Sequence, residues 1–297
     1  MPPDRDRPLL LLGADGQVGQ EITRLAAARG LPLTALARGQ LDITERSAVK
    51  AVAGRGYGVV VNAAAYTSVD RAESEAAKAL AVNRDGAGHV AEACDASGAV
   101  LIQLSTDYVF DGAKGAPYRE DDPVHPLSVY GRSKQAGEAA VRAACPAHVI
   151  LRTAWVFGTA GTNFVKTMLR LGGERGELSI VADQFGCPTP AAALAEAVLA
   201  VAAQPGKQAY GTYHCAGAEP SSWYDFAAAI FDGQLSLTGH AGPRLHPVAT
   251  ADYPTAARRP ADSTLDSSLF QATFGQRPID WRGGLAEVLR ALLAPRT

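Results

Sequence analysis

A run of four leucines, Leu9 to Leu12, is followed at once by Gly13-Ala14-Asp15-Gly16-Gln17-Val18-Gly19, and this stretch constrains the fold more than any other. An apolar run without polar alternation fits a strand buried on both faces, as in a parallel sheet covered by helices on both sides. Val18, Ile22, Leu25 and Ala26 then recur at helical spacing in a segment from Gln17 to Arg29 that Gly30 ends. Strand, glycine turn and helix in that order leave backbone N–H groups and the positive end of a helix dipole facing whatever lies above the turn. Glycines let a phosphate approach them. The spacing is G-x-x-G-x-x-G, a variant of the G-x-G-x-x-G dinucleotide fingerprint.

The segments that follow repeat the alternation. A second strand over Leu33 to Ala37 ends at Arg38, where a NAD-selective site would carry an acid for the ribose 2′-hydroxyl. An arginine there suits a 2′-phosphate, so NADPH is expected, with NADH as the alternative. Asp42 either reaches the adenine from its loop or sits beside Thr44, the expected N-cap of a helix over Glu45 to Gly54. Gly58 to Val61 predicts a third strand, with the small residues Ala63, Ala64 and Ala65 just beyond it, where a ring or ribose can lie against the backbone. A long amphipathic region from Arg71 to Ala96, broken near Gly86 and Gly88, leads to a fourth strand over Ala99 to Leu104 with Ser105-Thr106-Asp107 at its end. Val149 to Arg152 predicts a fifth strand, with Thr153-Ala154-Trp155 at its end.

This alternation predicts an α/β fold, a Rossmann-type doubly wound parallel sheet. Beyond Trp155 the pattern loosens. Helices are expected over Asn163 to Leu171, over Ala191 to Ala203 (packed back on the first domain), from a Ser221 cap to Phe231, and over Trp281 to Leu293. Strands are expected over Leu178 to Val181 and Tyr210 to Cys215, and Ala251 to Asp266 reads as irregular and cationic. The chain is therefore divided into a cofactor-binding domain, 1–155 plus about 188–216, and a smaller mixed α/β substrate-binding domain, 156–187 and 217–297.

Ser128-Val129-Tyr130-Gly131-Arg132-Ser133-Lys134 supplies chemistry. Tyr130 and Lys134 are four residues apart in a segment of helical character and so share a face. An ammonium beside a phenol favours the phenolate and is expected to lower the Tyr130 pKa, which suits proton transfer at a carbonyl or alcohol.

Composition removes other classes. With 47% hydrophobic and 20% charged residues in 297, the chain is an ordinary globular one, and a net charge of −2 argues against a nucleic-acid partner. Cys94, Cys145, Cys187 and Cys215 are widely spaced with no metal-ligand pattern, which predicts thiols in a reducing compartment. Met1 to Pro8 is polar and the apolar run behind it is too short for a signal peptide or a membrane span. A cytoplasmic protein with no membrane partner is expected.

The glycine turn, Asn62-Ala63-Ala64, Thr106 and Tyr130-x-x-x-Lys134, in that order, resemble the extended short-chain dehydrogenases/reductases. Further runs are similar to the dTDP-4-dehydrorhamnose reductases within them: Gly16-Gln17-Val18-Gly19, Leu41-Asp42-Ile43, Ser105 to Phe110, Arg152 to Val156, Asn163-Phe164, Asp183-Gln184-Phe185-Gly186, Tyr253-Pro254-Thr255 and Arg258-Arg259-Pro260. The resemblance implies NADPH-dependent reduction of the C4 ketone of dTDP-4-dehydro-L-rhamnose, the last step of dTDP-rhamnose synthesis. It makes Tyr130 the general acid, gives Lys134 the nicotinamide ribose, and sets the Thr106 hydroxyl on the sugar carbonyl or on Tyr130. It assigns Gly13, Gly16, Gln17 and Val18 to the diphosphate, Asp42 and Ile43 to the adenine, and Ala63, Ala64 and Ala65 to the ribose side, with Arg38 beside them. Thr106, Asp107, Tyr130 and Trp155 would hold the nucleotide sugar. Arg258 and Arg259 would either pair with its diphosphate or form a solvated basic loop, and His125 reads as structural. Magnesium at a subunit contact is implied as well, yet no acidic cluster in the sequence suggests its ligands. The expected assembly is a monomer or homodimer.

A dehydratase of this superfamily would carry Asp-Glu after the threonine, but Tyr108 follows Asp107 here. An epimerase would retain NAD tightly, against which Arg38 argues. The remaining alternatives are a reductase of another nucleotide 4-keto sugar and a non-catalytic regulatory subunit resembling that of methionine adenosyltransferase. An intact Thr106, Tyr130 and Lys134 set favours the enzyme.

Overall fold

The computed structural model describes residues 8–204 and 209–294, so all but the last residue of the polar segment Met1 to Pro8 lies outside the described residues. The leucine run is strand β1 (Leu9–Leu12), followed by α1 (Gln17–Ala28), β2 (Leu33–Leu36), α2 (Arg46–Ala53) and β3 (Val59–Asn62). The predicted long helical region is broken twice. It comprises α3 (Val69–Ala72), α4 (Ala76–Leu80), a π-helical turn over Ala81–Gly86, and α5 (Ala87–Ser97). Strand β4 (Val100–Thr106) ends two residues later than predicted, a 3₁₀ turn spans Asp107–Val109, and α6 (Val129–Ala144) leads to β5 (His148–Thr153).

The second half holds β6 (Val156–Phe157), α7 (Phe164–Glu174), β7 (Glu177–Val181), β8 (Phe185–Gly186), β9 (Thr189–Pro190), α8 (Ala191–Ala202) and β10 (Gly211–His214). It closes with β11 (Ser221–Ser222), α9 (Trp223–Thr238), β12 (Arg244–Val248), α10 (Ser268–Phe274) and α11 (Trp281–Leu293).

Six of these strands form one parallel sheet in the order β10-β5-β4-β3-β1-β2. Winding reverses between β1 and β3, and in doubly wound sheets the ligand crevice opens at the carboxyl ends of the strands at such a point. Alternate β1 residues serve opposite faces, as the pleat requires. Leu11 packs with Ile22 and Leu25 of α1 and Leu194 and Val198 of α8, whereas Leu10 and Leu12 pack with Val49 of α2, Val90 of α5 and Val141 of α6. The alanine-rich helix α8 thus covers, together with α1, one face of the six-stranded sheet. A third core joins α7, β7, α9 and α11 through Met168, Ile180, Phe226, Ile230 and Trp281.

Several local expectations are corrected. Thr44 does not cap α2. Its hydroxyl and backbone N–H both donate to Asp42 Oδ1, at 2.8 and 3.0 Å, and the capping position falls on Glu45. Ser222, not Ser221, caps α9 by accepting from the Asp225 N–H at 3.0 Å, and that helix runs seven residues past Phe231 to Thr238. Strand β12, which pairs in parallel with β7, went unpredicted because Pro247 and two polar residues break its pattern. The two-residue strands are too short to leave a periodicity. Helix α10, also unpredicted, inserts Phe270 and Phe274 into the first core against Tyr213.

Candidate functional site

Above the β1–β3 crossover lies a cleft of about 510 Å³ lined by Gly13, Gly16, Gln17 and Val18 from the turn, Arg38, Asp42 and Ile43 beyond β2, and Ala63, Ala64 and Ala65 beyond β3. Tyr130 and Lys134 of α6 line it too. Every residue assigned from the sequence to the cofactor therefore faces this one cleft. Two of its glycines are required by close approach. Gly13 has φ +83°, and a Cβ there would meet Ala64 N at 2.6 Å, while a Cβ on Gly19 would strike the carbonyl oxygen of Gly13. No side chain caps α1 at Gly16, and its first turn holds no acid, so its N–H groups and dipole stay available to an anion. This cradle fits a dinucleotide diphosphate. Arg38 lies mostly exposed at the rim and donates to Asp42 at 3.2 Å.

The reactive end is set by α6. Ser128 caps that helix by accepting from the Gly131 N–H at 3.1 Å, and Glu73 accepts from the Val129 N–H at 2.8 Å. Asn83, buried in the π-helical turn, accepts from Tyr66 N at 2.8 Å and donates to Tyr66 O at 3.0 Å and to Ser133 Oγ at 2.9 Å. One amide thereby ties the loop after β3 to the turn of α6 that bears Tyr130. Gly137 lets α6 approach so closely that a Cβ would collide with the Asn83 carbonyl oxygen. A π turn is often found at functional positions, but sequence periodicity does not reveal one, and Asn83 escaped notice for that reason.

Lys134 does not depress the Tyr130 pKa as the sequence suggests. Its ammonium donates to the Leu104 carbonyl oxygen at 2.7 Å. Burial dominates both groups: it raises Tyr130 to about 12, against the neighbouring Thr106 hydroxyl, and lowers Lys134 to about 8, against the Glu138 carboxylate. The phenol consequently keeps its proton at neutral pH.

Tyr130, Lys134 and Glu138 follow one another at four-residue intervals along α6. Glu138 is 1% exposed and accepts from Ser105 Oγ at 2.6 Å, Arg152 Nε at 2.9 Å, Arg152 Nη2 at 2.8 Å and Arg142 Nη2 at 2.7 Å. Burial alone would raise its pKa, but the Arg152 fork and the other donors hold it below the usual value. This carboxylate joins α6 to the ends of β4 and β5, and sequence reasoning missed it.

Thr106 ends β4, where its hydroxyl donates to Asp107 Oδ1 at 3.0 Å and accepts from Tyr108 N at 3.2 Å. Asp107 also accepts from Ser263 Oγ at 2.5 Å, and its burial raises the carboxyl to about 6. Trp155 has φ +47°, a left-handed backbone that costs a non-glycine residue of order 1–3 kcal/mol. Its indole stacks on Trp223 with ring centroids 3.4 Å apart and lies so close to Gly186 that no side chain would fit there. Thr106, Asp107 and Trp155 do not line the cofactor cleft. They form a second group beside it, joined through Ser263 and β8.

Arg259 does not lie in a solvated loop, its side chain being only 19% exposed. It forks onto Asp70 at 2.7 and 3.2 Å and fastens the irregular segment to α3. Asn163 caps α7 by accepting from Lys166 N at 3.1 Å and donates to Gln17 Oε1 at 2.9 Å, so it links the glycine turn to the second half. All four cysteines are free and buried, and burial pushes Cys145 up to about 11 and Cys187 and Cys215 to about 12. Among the described residues no group of three or more His, Cys, Asp or Glu side chains could hold a metal ion, so no ligand set for the magnesium implied by resemblance is found within this one chain, and no helix is long and apolar enough to cross a membrane.

A doubly wound sheet, a glycine cradle at its switch point and a Tyr/Lys pair on the helix facing it define a nicotinamide-dependent oxidoreductase of the extended short-chain type. Residues 7–294 match the family model described as the RmlD substrate binding domain. The chain belongs to the dTDP-4-dehydrorhamnose reductase family. It is 43% identical to a dTDP-4-dehydrorhamnose reductase from Aggregatibacter actinomycetemcomitans, over 94% of this chain and 97% of that one. Among solved structures, a dTDP-4-dehydrorhamnose reductase from Clostridium acetobutylicum superposes with a TM-score of 0.90 at 39% identity, covering 96% of this chain and 99% of the other. One from Bacillus anthracis in complex with NADP gives 0.89 at 35% identity, with the same coverage.

Proposed function

We propose that this chain reduces the C4 ketone of dTDP-4-dehydro-L-rhamnose to dTDP-L-rhamnose with NADPH, the last step of dTDP-rhamnose synthesis. The observation that carries the reading is the convergence of the glycine turn, Arg38, Tyr130 and Lys134 on a single cleft in a chain of this family. NADPH, when bound, supplies the hydride. The protein's own groups bind, orient and handle the proton.

Gly13, Gly16, Gln17 and Val18 hold the diphosphate with backbone N–H groups and the α1 dipole. Arg38 takes the 2′-phosphate, its exposed guanidinium being free to turn from Asp42. Asp42 and Ile43 meet the adenine, and Ala63, Ala64 and Ala65 lie along the ribose. Lys134, anchored by Leu104, holds the ribose hydroxyls next to the reacting ring. Tyr130 releases its phenolic proton to the C4 oxygen as that oxygen gains charge. A raised pKa keeps the proton in place until then. Thr106, Asp107 and Trp155 orient the sugar. On this reading residues 1–155 with about 188–216 bind the cofactor, and 156–187 with 217–297 select the nucleotide sugar. The protein works in the cytoplasm as a monomer or homodimer.

The test is to supply dTDP-4-dehydro-L-rhamnose with NADPH, and separately with NADH, and to follow the loss of nicotinamide absorbance. Turnover is expected with NADPH, and its absence with both cofactors refutes the assignment. Tyr130→Phe should lose about 10²- to 10⁴-fold in kcat with NADPH affinity retained. Full rate in that variant would remove Tyr130 from its role.

A further inference from the structure

Thr153 is the last residue of β5, directly opposite Thr106 in the sheet register. It is 8% exposed, and its side-chain hydroxyl has no hydrogen-bond partner among the described residues, though it lines the same cleft as Tyr130 and Lys134. A buried hydroxyl without a partner is costly, and in native structures nearly all buried polar side-chain atoms are paired. Ser105, which precedes Thr106 on β4 and also lines the cleft, is committed to Glu138, and Thr106, the cross-strand partner of Thr153, is committed to Asp107. Of these three hydroxyls, that of Thr153 is the one without a hydrogen-bond partner among the described residues.

The sheet order decides what meets it. A dinucleotide whose diphosphate sits over the β1 turn runs its adenosine half toward β2, where Arg38 and Asp42 stand. Its other half must run the opposite way, over β3 and β4 to β5. Thr153 lies three strands from β1 on that side, about 14 Å at the usual strand spacing of roughly 4.8 Å. Leu104, Val156 and Leu194 give the cleft an apolar wall around it. A flat ring bearing one polar substituent suits that wall, the ring lying on the aliphatic side chains and the substituent meeting the lone hydroxyl.

We infer that the Thr153 hydroxyl is the hydrogen-bond partner of the nicotinamide carboxamide, an inference that rests on the reading of this cleft as a dinucleotide site. A carboxamide both donates and accepts, as a hydroxyl does, so either orientation satisfies both groups. The contact fixes the rotation of the ring about its glycosidic bond and so selects which face of the ring is turned to the sugar.

Thr153→Val removes the hydroxyl and nearly keeps the shape, and Thr153→Ser keeps the hydroxyl. NADPH affinity, measured by fluorescence titration without sugar, should weaken about three- to tenfold in Thr153→Val, the worth of one neutral hydrogen bond, and stay near the parent value in Thr153→Ser. Affinity for 2′-phospho-ADP-ribose, which lacks the nicotinamide ring, should be the same in all three proteins. The thermal midpoint of Thr153→Val without cofactor should equal or exceed that of the parent, since no protein contact is lost. Equal weakening of NADPH and 2′-phospho-ADP-ribose, a lowered midpoint without cofactor, or unchanged NADPH affinity with a raised KM for the sugar alone would each overturn the inference. Failure of the parent itself to bind NADPH would instead refute the reading of the cleft.

Discussion

Replacing Glu138 with glutamine isolates the buried carboxylate beneath the reactive face of α6. The side chain keeps its size, but Arg152, 2% exposed, is left as a buried cation facing an amide that offers one acceptor in place of two charged ones. Breaking a buried pair by removing one partner costs about 3–5 kcal/mol. Arg142 adds little to that, since its side chain is 41% exposed and can return to water. In a chain of this size each kcal/mol moves the thermal midpoint by roughly 2 °C, so Glu138→Gln should melt about 6–10 °C below the parent by calorimetry or circular dichroism. Replacing both partners, Glu138→Leu with Arg152→Met, should recover most of the loss, because no charge is then stranded. A Glu138→Gln midpoint within about 1 °C of the parent, or a double variant that loses the sum of the two single losses, would refute the reasoning.

Three further outcomes follow from groups already described. Burial raises the Asp107 carboxyl from 3.8 to about 6, so the folded protein binds the extra proton between those values and its stability falls as pH rises through them; Asp107→Asn should remove that slope in pH-dependent melting, together with any change near pH 6 in the KM for the sugar. His214 is buried between Arg152 and the Tyr118 carbonyl oxygen, and its pKa is lowered from 6.5 to about 4. Between these values the unfolded chain takes up a proton that the folded one refuses, so stability is lost as pH falls from 6.5 toward 4, and His214→Gln should flatten that part of the curve. Gly19→Ala sets a methyl group against the Gly13 carbonyl and 2.8 Å from Ala14 Cα, so the turn must open; at about 1–3 kcal/mol of overpacking, NADPH affinity measured by titration should fall roughly tenfold or more, and unchanged affinity would remove the cradle from cofactor binding.

Where the chain was legible in sequence, a single periodicity or turn chemistry governed it. The leucine run, the glycine turn and the Tyr130–Lys134 spacing each encode their own conformation, and the structure brings them to one cleft. What sequence could not disclose depends on partners distant along the chain. Asn83 matters because it meets Tyr66 and Ser133, and Glu138 because it meets Ser105 and Arg152, at separations of up to 50 residues. The Tyr130 pKa went in the opposite direction because two residues on one helix face need not touch. Lys134 turns to a backbone carbonyl, and burial prevails. Arg259 shows the same limit, since nothing near it in sequence announces Asp70.

The stacked indoles of Trp155 and Trp223 also give the protein an optical reporter at its junction. Their planes lie within 6° of parallel at 3.4 Å, with one ring on the strained residue after β5 and the other opening α9, while the third tryptophan, Trp281, is buried beneath the guanidinium of Arg282. Indoles in such contact couple electronically, so parting them alters emission and near-ultraviolet dichroism. The native chromophores can therefore register events at the boundary between the two halves without any attached label.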